Sequence, residues 1–251
     1  MAGRWHKIGA RIVTVVPVSN KSENLWCVIP AAGSGSRMRA EIPKQYLDLG
    51  GVPVLAHVLN VFRRIPGMHG IAVGLSPDDV HWRDSVMAGL DSVRTFEGGE
   101  TRAETVLNGL DHLQSTLGAD TADWVMVHDA ARPLVEQEDV ERLLRACRER
   151  DCGGILAAAM VDTVKRSDGD GMVIETERRE RLWRALTPQC FRLGPLSSAL
   201  RDALDNRAAV TDESMAMERR GHRVQLVPGS PGNIKITSPT DLELARHLLR
   251  S

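Results

Sequence analysis

The chain has 251 residues, 42% of them hydrophobic, and is long enough to bury the core of one large domain or of two small ones. Its 32 Lys and Arg residues nearly balance its 33 Asp and Glu residues, so no general electrostatic field attracts nucleic acid or an anionic membrane. No apolar run approaches the roughly 20 residues that a membrane span needs. The four cysteines have neither C-x-x-C nor zinc-type spacing and are typical of reduced thiols in a cytoplasmic protein.

Residues 1–24 differ from the rest of the chain in composition. Four basic residues accompany a single acid, Glu23, and the short apolar run 12–18 is interrupted by Pro17. A secretory signal usually has a longer apolar region and a small-residue cleavage site. We therefore predict a disordered N-terminal extension, with an organelle-targeting peptide as the alternative.

The first predicted strand, 25–31, runs into a loop of small residues. This loop reads A-A-G-S-G-S-R-M over residues 31–38 and continues to P-K-Q at 43–45. Glycine and alanine let the backbone approach a ligand, and free N–H groups in such a loop form an anion-binding concavity. Arg37 and Lys44 add two positive charges, and this combination suits a triphosphate.

Two better-known phosphate loops do not fit these residues. The third glycine of G-x-G-x-x-G is replaced by Met38, and no Gly-Lys-Ser/Thr triplet follows the glycines. The loop therefore indicates a nucleotidyltransferase, and the alternative is an ordinary Gly/Ser turn with a solvated Arg and Lys.

Short apolar runs alternate with helical periods up to about residue 160. This alternation predicts an α/β fold with a Rossmann-like, mostly parallel sheet and flanking helices. Ligands bind outside the carboxyl ends of the strands in such sheets, and Gly33, Gly98 and Asp129 each follow a predicted strand. The predicted strands are 25–31, 70–75, 93–97, 124–128 and 153–160, and the predicted helices are 53–65, 78–89, 101–115 and 136–150.

The alternation changes between residues 161 and 193. Residues 161–166 and 172–176 have the period of strands and flank an S-D-G-D-G turn, so we predict a β-hairpin that protrudes from the domain. Such a hairpin has little core of its own, so it folds back or reaches a partner. Further on, we predict a helix at about 212–220, strands at 223–228 and 233–237, and a last helix capped by Ser238 or Thr240.

The string G-G-E-T-R-A-E-T-V at 98–106 predicts a turn that opens a helix. The backbone at Gly99 and the hydroxyl of Thr105 could contact the edge of a base. The alternative is an ordinary helix start, with Thr101 as the N-cap of a capping box that Glu104 closes.

The string V-H-D-A-A-R-P at 127–133 puts an acid and a base just after a buried strand. Asp129 could accept ribose hydroxyls or bind Mg²⁺, and Arg132 suits a phosphate. The alternative is an Asp–Arg pair that caps the strand end. Two C-terminal strings are weaker signals by themselves, since Lys235 in N-I-K-I-T could be a solvated edge residue and T-D-E at 211–213 an ordinary N-cap.

Together these strings resemble one family, the 2-C-methyl-D-erythritol 4-phosphate cytidylyltransferases of non-mevalonate isoprenoid biosynthesis. The resemblance runs from about Trp26 to the C-terminus. Its markers occur in order along the chain: A-A-G-S-G-S-R-M, P-K-Q-Y, G-G-E-T-R-A-E-T-V, V-H-D-A-A-R-P, D-T-V-K, L-T-P-Q, T-D-E and N-I-K-I-T.

The resemblance implies that residues 25–251 form a single cytidylyltransferase domain of the nucleotide-diphospho-sugar transferase type. It implies transfer of CMP from CTP to 2-C-methyl-D-erythritol 4-phosphate, with release of pyrophosphate. It also implies Mg²⁺ or another divalent cation, bound mainly through the CTP phosphates, and a cytoplasmic homodimer in which the arm 161–182 crosses to the neighbouring subunit. No nucleic acid or membrane partner is implied.

The resemblance also implies roles for individual residues. Arg37 and Lys44 would hold the CTP phosphates, the residues around Gly99 would frame the cytosine, and those around Asp129 would meet the ribose, the acceptor or a metal ion. The arm arginine is expected at Arg179, although Arg178 could take its place. The expected catalytic residues are Arg37, Lys44, Arg179 and Lys235, and the expected substrate-binding residues are Ala31, Ala32, Gly33, Gly35, Gly99, Glu100, Thr105, Asp129, Ala130, Arg132, Thr163 and Thr211.

Two other functions remain open at this stage. One is a cytidylyltransferase for another polyol phosphate, such as ribitol 5-phosphate, and the other is a non-catalytic nucleotide-binding protein on the same fold. The implied nucleophile is a phosphate that is already an anion at neutral pH, so the reaction needs no strong general base. We accordingly interpret His128 as structural.

Overall fold

The computed structural model describes residues 23–33, 38 and 42–250. The extension predicted for residues 1–24 lies almost entirely outside these residues. Within the described part, the strands are β1 (Leu25–Pro30), β2 (Asp48–Leu49), β3 (Val52–Pro53), β4 (Met68–Leu75), β5 (Val93–Glu97), β6 (Trp124–Val127), β7 (Gly153–Ala159), β8 (Lys165–Ser167), β9 (Val173–Thr176), β10 (Trp183–Arg192) and β11 (Val224–Pro228). The α-helices are α1 (Val54–Phe62), α2 (Arg102–Ser115), α3 (Gln137–Arg150), α4 (Leu193–Asp205), α5 (Glu213–Arg219) and α6 (Pro239–Leu249).

A central sheet of seven strands has the order β11-β7-β10-β6-β1-β4-β5. All neighbouring strands are parallel except β10, which is antiparallel to both β6 and β7. The carboxyl ends of the parallel strands therefore meet at one edge, which we call the carboxyl edge. Because β10 runs the other way, it begins at this edge, with Trp183 opposite Ala159 at the end of β7.

The core consists of a hydrophobic layer on each face of the sheet. Leu25, Cys27 and Ile29 of β1 pack in the layer formed with α1 and α3, whereas Trp26 and Val28 pack in the layer formed with α2, α4 and α5. Successive side chains of a strand point to opposite faces, so a strand covered on both sides is apolar throughout. This pattern confirms the predicted α/β fold.

Two predicted elements are wrong. Residues 78–89 form turns instead of a helix, because Asp79 accepts hydrogen bonds from the backbone N–H groups of His81 (3.0 Å) and Trp82 (2.9 Å). Such a side chain offers the backbone an alternative to helical hydrogen bonds. Residues 233–237 form no strand. The N–H of Ile236 donates to the carbonyl of Ala131 (2.8 Å), and Ala131 lies in a turn outside the sheet.

The hairpin prediction is confirmed, although its strands are short: β8 pairs with β9 in antiparallel fashion. The last helix begins after Ser238, whose side chain forms a capping box with Asp241. Four further elements were not predicted: the short strands β2 and β3, the strand β10 and the helix α4. Pro188 and Gln189 interrupt the apolar pattern of β10, and Gly194 and Pro195 open α4 with residues that are unfavourable in helices.

Among the described residues, no helix is both long enough and apolar enough to cross a membrane.

Candidate active site

A cavity of about 350 Å³ opens at the carboxyl edge of the sheet. Four segments that are distant in sequence form its walls: the loop after β1, the turn before α2, the loop after β6 and the C-terminal loop before α6. Its lining residues include Ala31, Ala32, Gly33, Lys44, Gln45, Gly99, Glu100, Thr101, Arg102, Thr105, Asp129, Ala130, Lys235 and Thr237.

The turn before α2 is held by hydrogen bonds of its own. The Thr105 hydroxyl accepts from the Gly99 N–H (3.0 Å) and donates to the Thr101 carbonyl (2.9 Å). Thr101 caps α2 in a capping box with Glu104, which confirms the predicted helix start. The buried Thr105 hydroxyl thus fixes the shape of the turn, and the backbone of the turn faces the cavity.

This turn also packs tightly against the loop after β1. A Cβ atom added to Gly98 would lie 2.4 Å from the Cβ of Ala32, closer than side-chain atoms approach. Glycine is therefore required at this point, because only a residue without a side chain lets the two walls of the cavity meet.

Lys44 lies on a short 3₁₀ helix, Lys44–Tyr46, that is anchored on several sides. The buried amide of Gln45 donates to the Ala31 carbonyl (2.7 Å), and the Tyr46 hydroxyl donates to Asp79 (2.8 Å). The Lys44 ammonium itself donates to the Ile236 carbonyl (3.2 Å). These contacts hold the lysine between the loop after β1 and the C-terminal loop.

Asp129 lies at the end of β6 among three cations. Its carboxylate oxygens are 2.9 Å from the Lys235 ammonium, 3.0 Å from the Arg102 Nε and 3.5 Å from the Arg132 Nε. Burial alone would raise the pKa of Asp129, but Arg102 and Lys235 outweigh it and hold that pKa far below its usual range. The carboxylate therefore stays ionised and holds the cations at the centre of the site.

Arg102 also contacts Glu213, which is completely buried. Its Nη1 donates to one carboxylate oxygen (2.7 Å) and its Nη2 to the other (3.2 Å). Burial alone would lower the pKa of Arg102, but Glu213 and Asp129 raise it above its usual value. The arginine is thus a permanently charged link between α2, the end of β6 and the start of α5.

The residues around Asp129 are oriented by a buried chain of hydrogen bonds. The Asp129 N–H donates to the Thr187 hydroxyl (3.1 Å), which in turn lies 3.1 Å from the His128 Nδ1. The His128 Nε2 lies 3.1 Å from the Arg132 carbonyl and donates to it. Because the carbonyl can only accept, His128 carries its proton on Nε2 and accepts the Thr187 hydroxyl proton on Nδ1. Burial lowers the pKa of His128 to about 4, so the ring is neutral, in agreement with the predicted structural role.

A smaller cavity of about 180 Å³ adjoins the first one. Arg102, Asp129 and Lys235 line both cavities and form the wall between them. The remaining lining residues come from the loop after β6, from β10 and from the turn before α5: Arg132, Ala185, Leu186, Thr187, Gln189, Thr211 and Asp212. Two adjoining cavities with a shared cationic wall suit two anionic substrates that react with each other.

Residues 25–251 match the family model described as 2-C-methyl-D-erythritol 4-phosphate cytidylyltransferase. The chain belongs to this family. Its members are nucleotidyltransferases, and the chain is accordingly a cytidylyltransferase enzyme, as the sequence motifs predicted.

Several relatives carry the same name. The protein from Pseudomonas aeruginosa is 51% identical over 217 residues, which cover 86% of this chain and 92% of the relative. That from Ectopseudomonas mendocina is 47% identical over 225 residues, covering 90% and 95%. The crystal structure of the cytidylyltransferase from Francisella tularensis is 36% identical, has a TM-score of 0.77, and is matched over 90% of this chain and 99% of its own.

The structure brings most of the predicted site residues together. Ala31, Ala32, Gly33, Lys44, Gly99, Glu100, Thr105, Asp129, Ala130 and Lys235 line the larger cavity, and Arg132 and Thr211 line the smaller one. Arg37 and Gly35 lie outside the described residues.

Thr163 and Arg179 are not part of either cavity in this chain. Both lie in the segment between β7 and β10, where the Arg179 guanidinium donates to the Val161 carbonyl. Arg178 immediately precedes the short 3₁₀ helix Arg179–Arg181. Their role in a site stays a prediction of the family resemblance.

Several residues of the site were missed by the sequence analysis: Gln45, Arg102, Thr187, Gln189 and Glu213. Each lies inside a string that carried the resemblance, but a sequence string does not show which of its side chains meet. Arg102 and Glu213 are 111 positions apart, and only the folded sheet brings them into contact.

Proposed function

We propose that this chain transfers CMP from CTP to 2-C-methyl-D-erythritol 4-phosphate and forms 4-diphosphocytidyl-2-C-methyl-D-erythritol and pyrophosphate. The observation that carries the proposal is the pair of cavities with the shared wall of Arg102, Asp129 and Lys235. The relatives from Ectopseudomonas mendocina and Pseudomonas aeruginosa are named as cytidylyltransferases for the same acceptor.

The larger cavity suits the nucleotide. One wall is the turn before α2, where Gly98 packs tightly against Ala32 and the backbone of Gly99 can contact the edge of a cytosine. The small side chains of Ala31 and Ala32 leave room for the base and ribose. Lys44 lies at the same cavity and would bind the phosphates, together with Arg37 from the loop after β1.

The smaller cavity suits a short polyol phosphate. Arg132 and Lys235 supply positive charge for its phosphate, and the hydroxyl group of Thr211 can contact the polyol. This cavity opens next to the wall, so the acceptor phosphate would lie beside the α-phosphate of the nucleotide.

The chemistry requires positioning more than proton transfer. An oxygen of the acceptor phosphate attacks the α-phosphorus in line, a new P–O bond forms, and the bond to the bridging oxygen breaks as pyrophosphate leaves with the electron pair. The attacking oxygen is already anionic, so the protein needs to orient two anions and to stabilise the charge that develops between them. Lys44, Lys235 and Arg37 are the groups proposed for this task.

We propose Mg²⁺ or another divalent cation as the cofactor, held mainly by the CTP phosphates. The described part of the chain contains no group of three or more His, Cys, Asp or Glu side chains arranged around one point. Asp129 is a poor ligand for a cation, since its carboxylate already faces Arg102, Arg132 and Lys235. When bound, the metal ion would neutralise negative charge on the phosphates.

We also propose a cytoplasmic homodimer in which the segment 161–182, the arm, contacts the neighbouring subunit. Large apolar side chains of the arm are exposed in the single chain, with Val161 75%, Met172 69% and Ile174 61% accessible. Burying them against a second copy would remove this apolar surface from water. Thr163 and Arg179 would then complete the acceptor site of the partner.

A single assay tests the reaction. The purified protein is incubated with CTP, Mg²⁺ and either 2-C-methyl-D-erythritol 4-phosphate or ribitol 5-phosphate, and pyrophosphate release is followed. We expect release with the first acceptor. Release with ribitol 5-phosphate alone would keep the chemistry but change the substrate, and CTP binding without release from folded protein would contradict the catalytic function.

A further inference from the structure

We infer that Arg102 is a catalytic residue that contacts the phosphate groups of both substrates at the point where they meet. This inference rests on the proposed function. It concerns a residue that the motif analysis treated only as part of a helix start.

Arg102 lies where the two proposed substrate sites adjoin. It lines both cavities, and a bond must form between a group in one cavity and a group in the other. The reacting phosphates therefore meet at the wall that Arg102 forms with Asp129 and Lys235. A cation in this wall lies beside both the attacking oxygen and the α-phosphate.

Arg102 has more N–H donors than its bonds to the two carboxylates use. A guanidinium has five N–H groups, and three of them make the bonds to Asp129 (3.0 Å) and to Glu213 (2.7 and 3.2 Å). One N–H on each terminal nitrogen remains for a ligand. The side chain is 28% exposed, so these donors have access to the cavity.

The cluster of charged residues around Arg102 has an excess of positive charge. Arg102, Arg132 and Lys235 contribute three positive charges, and Asp129 and Glu213 contribute two negative charges. The two carboxylates hold Arg102 and Lys235 in place, and the excess positive charge is left for phosphate. A cation that is aimed before the substrates arrive needs no reorganisation during the reaction.

Hydrogen bonds hold the segment that supports Arg102 in place. Glu213 belongs to the first turn of α5, where Asp212 is the N-cap and accepts from the Met215 N–H (3.0 Å). Gln189 of β10 clamps the same turn, donating to Asp212 (2.8 Å) and accepting from the Ser214 N–H (2.8 Å). Glu213 is thus a positioning residue that acts through Arg102.

The test compares Arg102→Gln, Arg102→Lys and Glu213→Gln with the wild type in the pyrophosphate assay, measuring kcat and both KM values. We expect kcat of Arg102→Gln to fall about 10²–10³-fold, the usual effect of removing one charge-stabilising group, and Arg102→Lys to recover at least about tenfold of this loss. Arg201→Gln is the matched control, since Arg201 forms an exposed pair with Asp111 away from both cavities.

The double variant shows whether Glu213 acts through Arg102. If it does, Glu213→Gln lowers kcat of the wild type but causes no further loss in Arg102→Gln, because residues of one unit are not additive. Thermal unfolding of each variant separates this effect from a loss of folded protein. If Arg102→Gln fails to fold, Arg102→Lys alone carries the test, and we expect a kcat at least threefold below the wild type.

Three results would overturn the inference. The first is an Arg102 variant with wild-type kcat, and the second is an Arg102→Lys variant no better than Arg102→Gln. The third is an additive loss in the double variant, which would remove the proposed link to Glu213. Inactivity of the wild type with this acceptor would overturn the proposed function. An active wild type with an unaffected Arg102 variant would overturn only the inference about Arg102, so the two failures are distinguishable.

Discussion

Asp129 shows how one buried carboxylate organises this site. It accepts contacts from cations on three segments, α2, the loop after β6 and the C-terminal loop. Mutual repulsion would otherwise drive Arg102, Arg132 and Lys235 apart before any substrate binds. The carboxylate is therefore part of the phosphate site although its own charge is negative.

At this scale we expect Lys44→Ala to lower kcat by about 10²–10³-fold, since it removes one fixed charge beside the phosphates. The fold should be retained, because Lys44 lies in a short surface-reaching helix whose buried anchor is Gln45. Steady-state pyrophosphate release checks the rate, and circular dichroism checks the fold. The resemblance predicts the same loss for Arg37→Ala, and near-normal turnover of both variants would refute these roles.

His128 predicts a pH dependence of stability. Its pKa is about 4 in the folded protein and about 6.5 in an unfolded chain, so the unfolded state binds the extra proton between these values. The contribution of neutral His128 to the free energy of unfolding is complete above about pH 6.5. It is lost as the pH falls toward 4, by about 3 kcal/mol in all.

Urea unfolding at pH 5 and pH 7 measures this effect. The difference between the free energies of unfolding at the two pH values should be smaller in His128→Gln than in the wild type. It should stay at the wild-type value in His222→Gln, which alters an exposed histidine. An unchanged pH dependence in His128→Gln would show that other groups cause it.

Among the elements, α2 packs closely against the sheet at Gly109. A Cβ atom added to Gly109 would lie 2.6 Å from Val28 of β1 and 2.7 Å from Phe96 of β5. The helix can therefore approach the strands only where a glycine faces them. This approach sets the position of the turn at Gly98 and Gly99, from which α2 begins.

The substitution Gly109→Ala has two opposing effects on the free energy of unfolding, one through helix propensity and one through packing. Alanine is the better helix former by about 0.8–1 kcal/mol, but overpacking a rigid core costs about 1–3 kcal/mol. We expect packing to win and the free energy of unfolding to fall by about 1–2 kcal/mol in chemical denaturation. Gly89→Ala, where no atom lies within 4 Å of the added Cβ, should be close to neutral. A stabilised Gly109→Ala would mean that the sheet can move away from the helix.

How far the sequence predicts an element depends on how local its signals are. The strands at 25–31 and 124–128 and the start of α2 were predictable, because apolar runs and a capping box are local patterns. The strand β10 was not, because Pro188 and Gln189 interrupt its apolar pattern, and because Gln189 bonds to the Ser214 N–H, which is distant in sequence. The contact of Arg102 with Glu213 was missed for the same reason, whereas Lys44 and Asp129 were found because each lies in a distinctive string beside a predicted strand.

For the whole molecule, the exposed apolar arm predicts a change in assembly. We expect sedimentation to give a dimer for the wild type and a monomer for Ile174→Glu, because a charge would be buried in the proposed interface. Ile174 is 61% exposed in the single chain, so the variant should fold normally. Val86→Glu is the control, since Val86 is 74% exposed outside the arm. A wild-type monomer, or a dimer that survives Ile174→Glu, would contradict the arm interface.

The reversed direction of β10 has a consequence for how such chains can vary. Because β10 begins at the carboxyl edge where β7 ends, the segment between Ala159 and Trp183 needs no crossover to the far side of the sheet. The segment is attached to the sheet at two neighbouring points, the end of β7 and the start of β10. The arm of one relative could therefore be transplanted onto the sheet of another, or be lengthened and shortened, without shifting the register of any strand that carries the site.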